Sequence, residues 1–326
     1  MRPSVGTILV LVVVAGAALA ATDLQLAQKR TLVVYTTPAL QDLLEKDIIP
    51  RFERETGVRV EPVYVAAGEQ YNRLRMSGNT PEADVFLHAS PLYIEKGYRD
   101  GYFAPLNISA AETDNATFLG DAVDGGGRIW YAFAWSPLVE VYSTRFASAP
   151  DMATADVTFG LAHPLLSNNG VYNVLYYETL DKAAGRYAIS RTTVQPVNAR
   201  GSVNGIADGS FDVTLGYEAV ALLYEAKGAK IKSELPDLHG NRTTVPVLLS
   251  AGLVRSHQHP DAARFIDSLF TNETQSRLAT SYFRAVRPGY DAPKGGVDLK
   301  GIDIVRFDWS RWSDLESKLQ SYEVRS

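Results

Sequence analysis

Between Thr31 and Ser90 the chain alternates three short apolar runs with two helical stretches, and few architectures accept that order. Leu32 to Tyr35 is an apolar, β-branched run, the mark of a buried strand. Thr36-Thr37-Pro38 follows, and Pro suits the first turn of a helix because its missing N–H would go unpaired there anyway. Leu40, Leu43, Leu44, Ile48 and Phe52 then recur at helical spacing until Gly57 stops the helix. Alternation over Val58 to Val65 predicts a second strand. The turn Ala66-Ala67-Gly68-Glu69 opens a second helix carrying Tyr71, Leu74 and Met76, and Ala83 to Leu87 predicts a third strand ending in His88-Ala89-Ser90-Pro91. Strands alternating with helices imply a largely parallel sheet, and such sheets bind ligands beyond the carboxyl ends of their strands. Those ends carry Thr36 and Thr37, Gly68 and Glu69, and His88 and Ser90, which form the first candidate binding surface.

The middle of the chain repeats this grammar. Arg128 to Tyr142 is a long β-rich segment, interrupted midway by Trp135-Ser136-Pro137, whose length suits a crossing from one domain to another. Ser167-Asn168-Asn169-Gly170 precedes Val171, Leu175 and Leu180 at helical spacing; Ser or Asn there caps free N–H groups, and such groups can also hold an anion. Thr193 to Val197 predicts a strand, Arg200-Gly201-Ser202-Val203 leads into a short helix, and Phe211 to Leu215 predicts a strand ending in Gly216-Tyr217-Glu218. Val245 to Val254 reads as the return crossing. A helix follows His259-Pro260-Asp261, another spans Thr271 to Tyr282, and the tail ends in an amphipathic stretch with Trp312, Leu315, Leu319 and Tyr322 on one face.

Composition narrows the function. At 326 residues the chain is long enough for roughly two domains of about 150 residues. A net charge of −5 argues against a nucleic-acid partner. Met1-Arg2 and the apolar run Ile8 to Ala20, closing on Ala18-Leu19-Ala20, read as a signal peptide over residues 1–20, with an uncleaved anchor as the alternative. Export to the periplasm or the outer cell surface follows from either. The absence of cysteine excludes disulfides, thiolate metal sites and a lipidated-Cys anchor. Sequons at Asn107, Asn115, Asn241 and Asn272 mark surface loops, and the run Gly125-Gly126-Gly127 is a flexible turn, since no Lys-Ser/Thr follows it as a phosphate loop would require.

The stretches VVYTT, IIPRFERETGVRVEPVY, AAGEQYNRLRMSGNTPEADVF, NARGSVNGIADGSFDVTLGYE and HPDAARFIDSLFTNETQSRLA resemble extracellular solute-binding proteins of ABC importers. The likeness is to the two-lobed periplasmic-binding-protein class, in the branch serving ferric iron, thiamine, polyamines and phosphonates, and it covers most of residues 31–290. It implies an α/β, type II fold: two lobes, each a mostly parallel sheet flanked by helices, joined by hinge strands. Residues 31–133 and 251–326 would form lobe 1 and residues 134–250 lobe 2. It implies a small-molecule or ion solute in the cleft, a membrane permease and ATPase as partners, no cofactor and no catalysis. Carried over residue by residue, Thr36, Thr37, Gly68, Glu69 and Ser90 fall on the cleft turns of the first lobe, and Asn168, Asn169, Gly170, Gly201, Ser202, Tyr217 and Glu218 on those of the second. Iron-binding members carry adjacent tyrosines just after the strand that matches Val213 to Leu215; here that place holds the single Tyr217, and Tyr176-Tyr177 falls inside a predicted helix as packing. Trp135, Tyr172 and Tyr217 could instead sandwich a flat or cationic ring, and helix-start N–H groups at Asn169 and Ser202 could hold a phosphate-like group. An iron(III) receptor of the same class is the alternative. An exported hydrolase is a third reading, but the chain lacks G-x-S-x-G and H-E-x-x-H, and its five histidines are scattered.

Overall fold

The computed structural model describes residues 31–78, 80–109, 111, 118, 120, 123, 127–255 and 259–324. The proposed signal peptide, Asn115, Gly125, Gly126 and His257 lie outside the described residues, as does the side chain of Trp312.

The first half forms as its pattern requires. Strand β1 (Thr31–Thr36) pairs in parallel with β2 (Arg59–Tyr64) on one side and β3 (Val85–His88) on the other. The first connection starts as a 3-10 turn, Pro38–Leu40, passes through a π-helical turn at Leu44–Ile48, and ends as helix α1 (Ile49–Thr56). Gly57 stops it with a left-handed φ of 69°. The second connection is α2 (Ala67–Ser77), and α3 (Leu92–Arg99) follows β3, with the short β4 (Phe103–Ala104) after it.

Two long strands join the halves. β5 (Tyr131–Ser143) runs antiparallel to β10 (Pro246–Val254), which itself pairs antiparallel with β3. Residues 131–137 of β5 bond to β10, and from Leu138 onward β5 bonds instead to β6 (Val213–Tyr217) and β7 (Ile231–Glu234), while the short β8 (Asp237–Leu238) and β9 (Asn241–Thr244) pair with each other. The expected break at Trp135-Ser136-Pro137 does not occur. Pro137 sits opposite Pro246, where the ladder changes partners, so neither missing N–H costs a bond. The sheet is therefore mixed: parallel over β1, β2 and β3, antiparallel along the hinge strands, with a parallel bridge from Phe159 to Val213 in the second half.

The second half carries α4 (Asn168–Leu180), α5 (Lys182–Ser190), α6 (Ala199–Ala207) and α7 (Glu218–Ala226). Tyr176 and Tyr177 are fully buried in α4, as packing requires. Thr193 to Val197 is not a strand; only Thr192 bridges to Phe159. Pro196 withholds a ladder donor there, and Val194 and Val197 are about half exposed, so no buried face rewards pairing. The tail crosses back over both halves. Trp309 packs edge-on against Tyr172, and α8 (Trp312–Ser321) buries Leu315 and Leu319. In that region Lys96 pairs with Glu316 at 3.0 Å, and the Tyr322 hydroxyl reaches Glu178 at 3.2 Å.

Two buried acids generate predictions. Glu218 accepts a bidentate bond from Arg284 (2.9 Å at both oxygens) and a third from the Val297 N–H at 2.6 Å, tying the start of α7 to the segment beside β5. Arg284→Met leaves that carboxylate buried without its partner and should cost about 3–5 kcal/mol in a denaturant titration; a loss under ~1 kcal/mol contradicts the structural role. Glu140 lies in β5 opposite Glu234, almost wholly buried, and burial followed by repulsion from Glu234 pushes its pKa from 4.5 up to about 9. The folded state then keeps a proton that the unfolded chain releases, so stability falls as pH rises through that window. Glu140→Gln should match the parent at pH 4 and melt progressively higher than it toward pH 9; a difference that does not grow with pH would count against it.

Candidate functional site

The two halves meet tip to tip. The Gly68 N–H donates to the Leu166 carbonyl at 3.3 Å, and the Tyr93 hydroxyl donates to the Leu165 carbonyl at 2.7 Å. A Cβ on Gly68 would stand 2.5 Å from the Leu165 oxygen, so only glycine permits this approach. Asn168 Nδ2 lies 3.4 Å from His88 Nδ1, and Arg200 bonds across to Asp42. Lys46, and after it Arg200, hold the Asp42 carboxyl down to about 2.

Around these contacts polar atoms from both halves are buried without a hydrogen-bond partner. They include Thr36 Oγ1, Gln70 Oε1 and His88 Nε2 from the first half, and Asn168 Oδ1, Asn169 Oδ1 and Arg200 Nε from the second. Each sits where strand meets helix: Thr36 and His88 end β1 and β3, Gln70 lies in the first turn of α2, and Asn168 and Asn169 begin α4. His88 stacks on Phe86 at 4.5 Å, and burial depresses its pKa from 6.5 to about 3, so the ring is neutral at physiological pH.

Several residues singled out from the sequence have other duties here. Thr37 accepts from the Ala39 N–H as a helix cap, and Ser90 accepts from the Leu92 N–H. Glu69 is half exposed and pairs with Arg73 on its own helix at 2.6 Å. Gly170 packs so closely that a Cβ would stand 2.3 Å from the His163 carbonyl oxygen. Ser202 accepts from Asn169 Nδ2 at 3.0 Å, behind the closure. Trp135 donates to the Ala285 carbonyl at 3.0 Å and lies against Phe118 and Arg284. Tyr172 and Tyr217 pack edge to face at 6.3 Å, both buried, with the Tyr172 hydroxyl accepting from the Leu248 N–H. Burial raises the pKa of both phenols well above 10. Glu218 is held by Arg284. The structure thus brings Thr36, Gly68, Asn168 and Asn169 together and leaves Glu69, Trp135, Tyr172, Tyr217 and Glu218 with partners elsewhere.

Sequence reasoning missed Gln70, and placed His88 on the first candidate surface without carrying it into the set of cleft residues. One helical position separates Glu69 from Gln70, and the roughly 100° turn between them carries one outward and the other inward. The signal was available: Ala67, Gln70, Tyr71 and Leu74 follow the buried spacing of α2, whereas Glu69 and Arg73 follow the opposite face.

Solved two-lobed proteins share this architecture. AfuA of Actinobacillus pleuropneumoniae, determined with exogenous fructose-6-phosphate bound, superposes with a TM-score of 0.75 at 14% identity, over 89% of this chain and 96% of that one. A periplasmic thiamin-binding protein gives 0.72 at 18% identity, over 90% and 96%. Iron-bound HitA of Pseudomonas aeruginosa gives 0.70 at 17% identity, over 90% and 99%. Iron uptake protein A1 of Synechocystis is 24% identical over 264 residues, 73% of this chain and 71% of that protein. The sequence model for bacterial extracellular solute-binding proteins matches residues 32–284, and the chain belongs to that family.

Proposed function

We propose that this protein is the non-catalytic receptor of an ABC importer, capturing a small polar or ionic solute between its lobes and delivering it to a membrane permease and its ATPase. The lobes are residues 31–133 with 251–326 and residues 134–250, and the leader over residues 1–20 directs export. Among the described residues no helix is long and apolar enough to cross a membrane.

The observation that carries this reading is the set of unpartnered atoms on Thr36, Gln70, His88, Asn168 and Asn169, contributed by strand ends and helix starts from both halves at the surface where they meet. Buried polar atoms are ordinarily paired, and a site with several unpaired ones is built to be completed by something else. Among the described residues the neutral His88 ring makes its contacts to Phe86, Tyr93 and Asn168, aromatic and amide neighbours that suit a binding role. An iron(III) receptor is the second reading, favoured by the Synechocystis relative named for iron uptake.

Native mass spectrometry of the protein purified from its own source should show one small solute per chain. The double variant Thr36→Val, Asn168→Leu should lose it while melting within a few degrees of the parent. Retention by a folded double variant would refute the cleft assignment, and a retained ferric ion would favour the second reading.

A further inference from the structure

We infer that the second half carries a site for a small organic amine, separate from the cleft, in a cavity lined by Glu140. The cavity has a volume of about 290 Å³, and the acids on its wall are Glu140, Asp151, Glu234 and Asp237. None of these is a residue through which the two halves touch. Glu140 and Glu234 stand directly opposite each other on antiparallel β5 and β7, so both side chains rise from one face of the sheet. Like charges in that relation repel, and sheets ordinarily avoid them. Here Glu140 is in addition only 1% exposed, and its Oε1 is buried without a hydrogen-bond partner. The other three acids are engaged. Glu234 accepts from the Tyr142 hydroxyl, Asp151 from the Ala153 N–H at 2.8 Å and the Thr154 hydroxyl at 2.9 Å, and Asp237 from the Gly240 N–H at 2.7 Å. In α4 the Tyr176 hydroxyl is a second buried group without a partner; burial, and after it the Glu140 and Asp237 carboxylates, raise its pKa well above 10.

Charge and hydrogen-bonding capacity choose the guest. Four carboxyl groups on the wall face Arg242, which lies 3.9 Å from Asp237, and His239, whose ring pairs with Asp181 at 2.8 Å. The surplus is negative, and a carboxylate accepts only, so the guest is a cation with N–H donors. A primary ammonium offers three; a quaternary ammonium has the charge but leaves Glu140 Oε1 unpaired. A bare metal ion does not suit the site, because among the described residues no group of three His, Asp or Glu side chains could hold one. The volume lies at the lower end of ligand pockets, ~300–1,000 Å³, so the guest is small. Without a guest, burial and then repulsion from Glu234 keep Glu140 protonated up to about 9. An alkylammonium holds its own proton to about pH 10, so on binding near neutral pH the Glu140 carboxyl gives up its proton to solvent and receives an ammonium hydrogen in its place.

The test is a calorimetric titration of the full chain with 1,4-diaminobutane at neutral pH, in amine-free buffer with about 0.15 M KCl so that exposed charges are screened. One diamine should bind per chain, and repeating the titration in buffers of different ionisation enthalpy should show about one proton released. Tetramethylammonium should bind at least about tenfold more weakly. Glu140→Gln, expected to fold at least as stably as the parent, should weaken the diamine at least about tenfold and abolish the proton release. Glu234→Gln, whose amide oxygen can still accept from Tyr142, should weaken the diamine as well. No binding of the diamine, binding that Glu140→Gln leaves unchanged, or equal affinity for tetramethylammonium overturns the inference. None of these outcomes bears on the receptor reading, because the cavity lies within one half.

Discussion

The structure depends on one shared strand. β5 is hydrogen-bonded to the first half along residues 131–137 and to the second from Leu138 on, so the two sheets are ends of a single ladder. A strand that changes partners midway must tolerate a position where neither ladder is complete. Pro137 opposite Pro246 supplies it, because two residues without N–H groups have nothing to leave unpaired. A register shift between Leu249 and Ser250 lies on the same hinge, and the Phe133 carbonyl it leaves beside it is taken up by Gln275 at 2.8 Å. Irregular backbone is thus concentrated where two rigid halves would have to flex.

Around that hinge the polar chemistry divides into two kinds. One kind is satisfied and structural: Glu218 with Arg284 and Val297, and Asn173 with the Leu215 carbonyl and the Ala162 N–H. These bonds fix the helices that carry the second half's contribution to the cleft. The other kind is buried without a partner, at the strand ends and helix starts that carry Thr36, Gln70, His88, Asn168 and Asn169. The division follows the geometry of α/β sheets, in which strand ends and helix starts present backbone and short polar side chains outward while the helix bodies seal the core.

Much of the fold was legible because it is local. Apolar runs bounded by Gly, Pro and polar turns located β1, β2, β3, β5, β6 and β10, and Gly68 and Asn168, singled out at strand and helix ends, make contacts between the two halves. What stayed hidden is non-local. Nothing near Glu218 in the chain announces that its partner is Arg284, 66 residues on, so a buried ion pair looked like a ligand. Tyr172 and Tyr217 were attractive as aromatics, but only the three-dimensional packing of Trp309 and Leu248 around Tyr172 shows them to be core. Gln70 was lost to its charged neighbour because residue type was weighed before helical phase.

The unpartnered atoms also explain how binding could become motion. Each polar group that closure buries without a partner costs about 1–3 kcal/mol, so shutting the cleft over Thr36, Gln70, His88, Asn168 and Asn169 alone opposes the closed form by several such increments. Direct contacts between the tips, Gly68 to Leu166 and Tyr93 to Leu165, work in the other direction. A solute that pairs the buried atoms in the closed form, and reaches only one lobe's share of them in the open form, binds the closed form more tightly by that difference. Differential affinity of this kind is what lets a ligand shift a conformational equilibrium, and here it would come from the same side chains proposed to recognise the solute. Recognition and closure would then be one set of hydrogen bonds, read by any permease that distinguishes the closed shape from the open one.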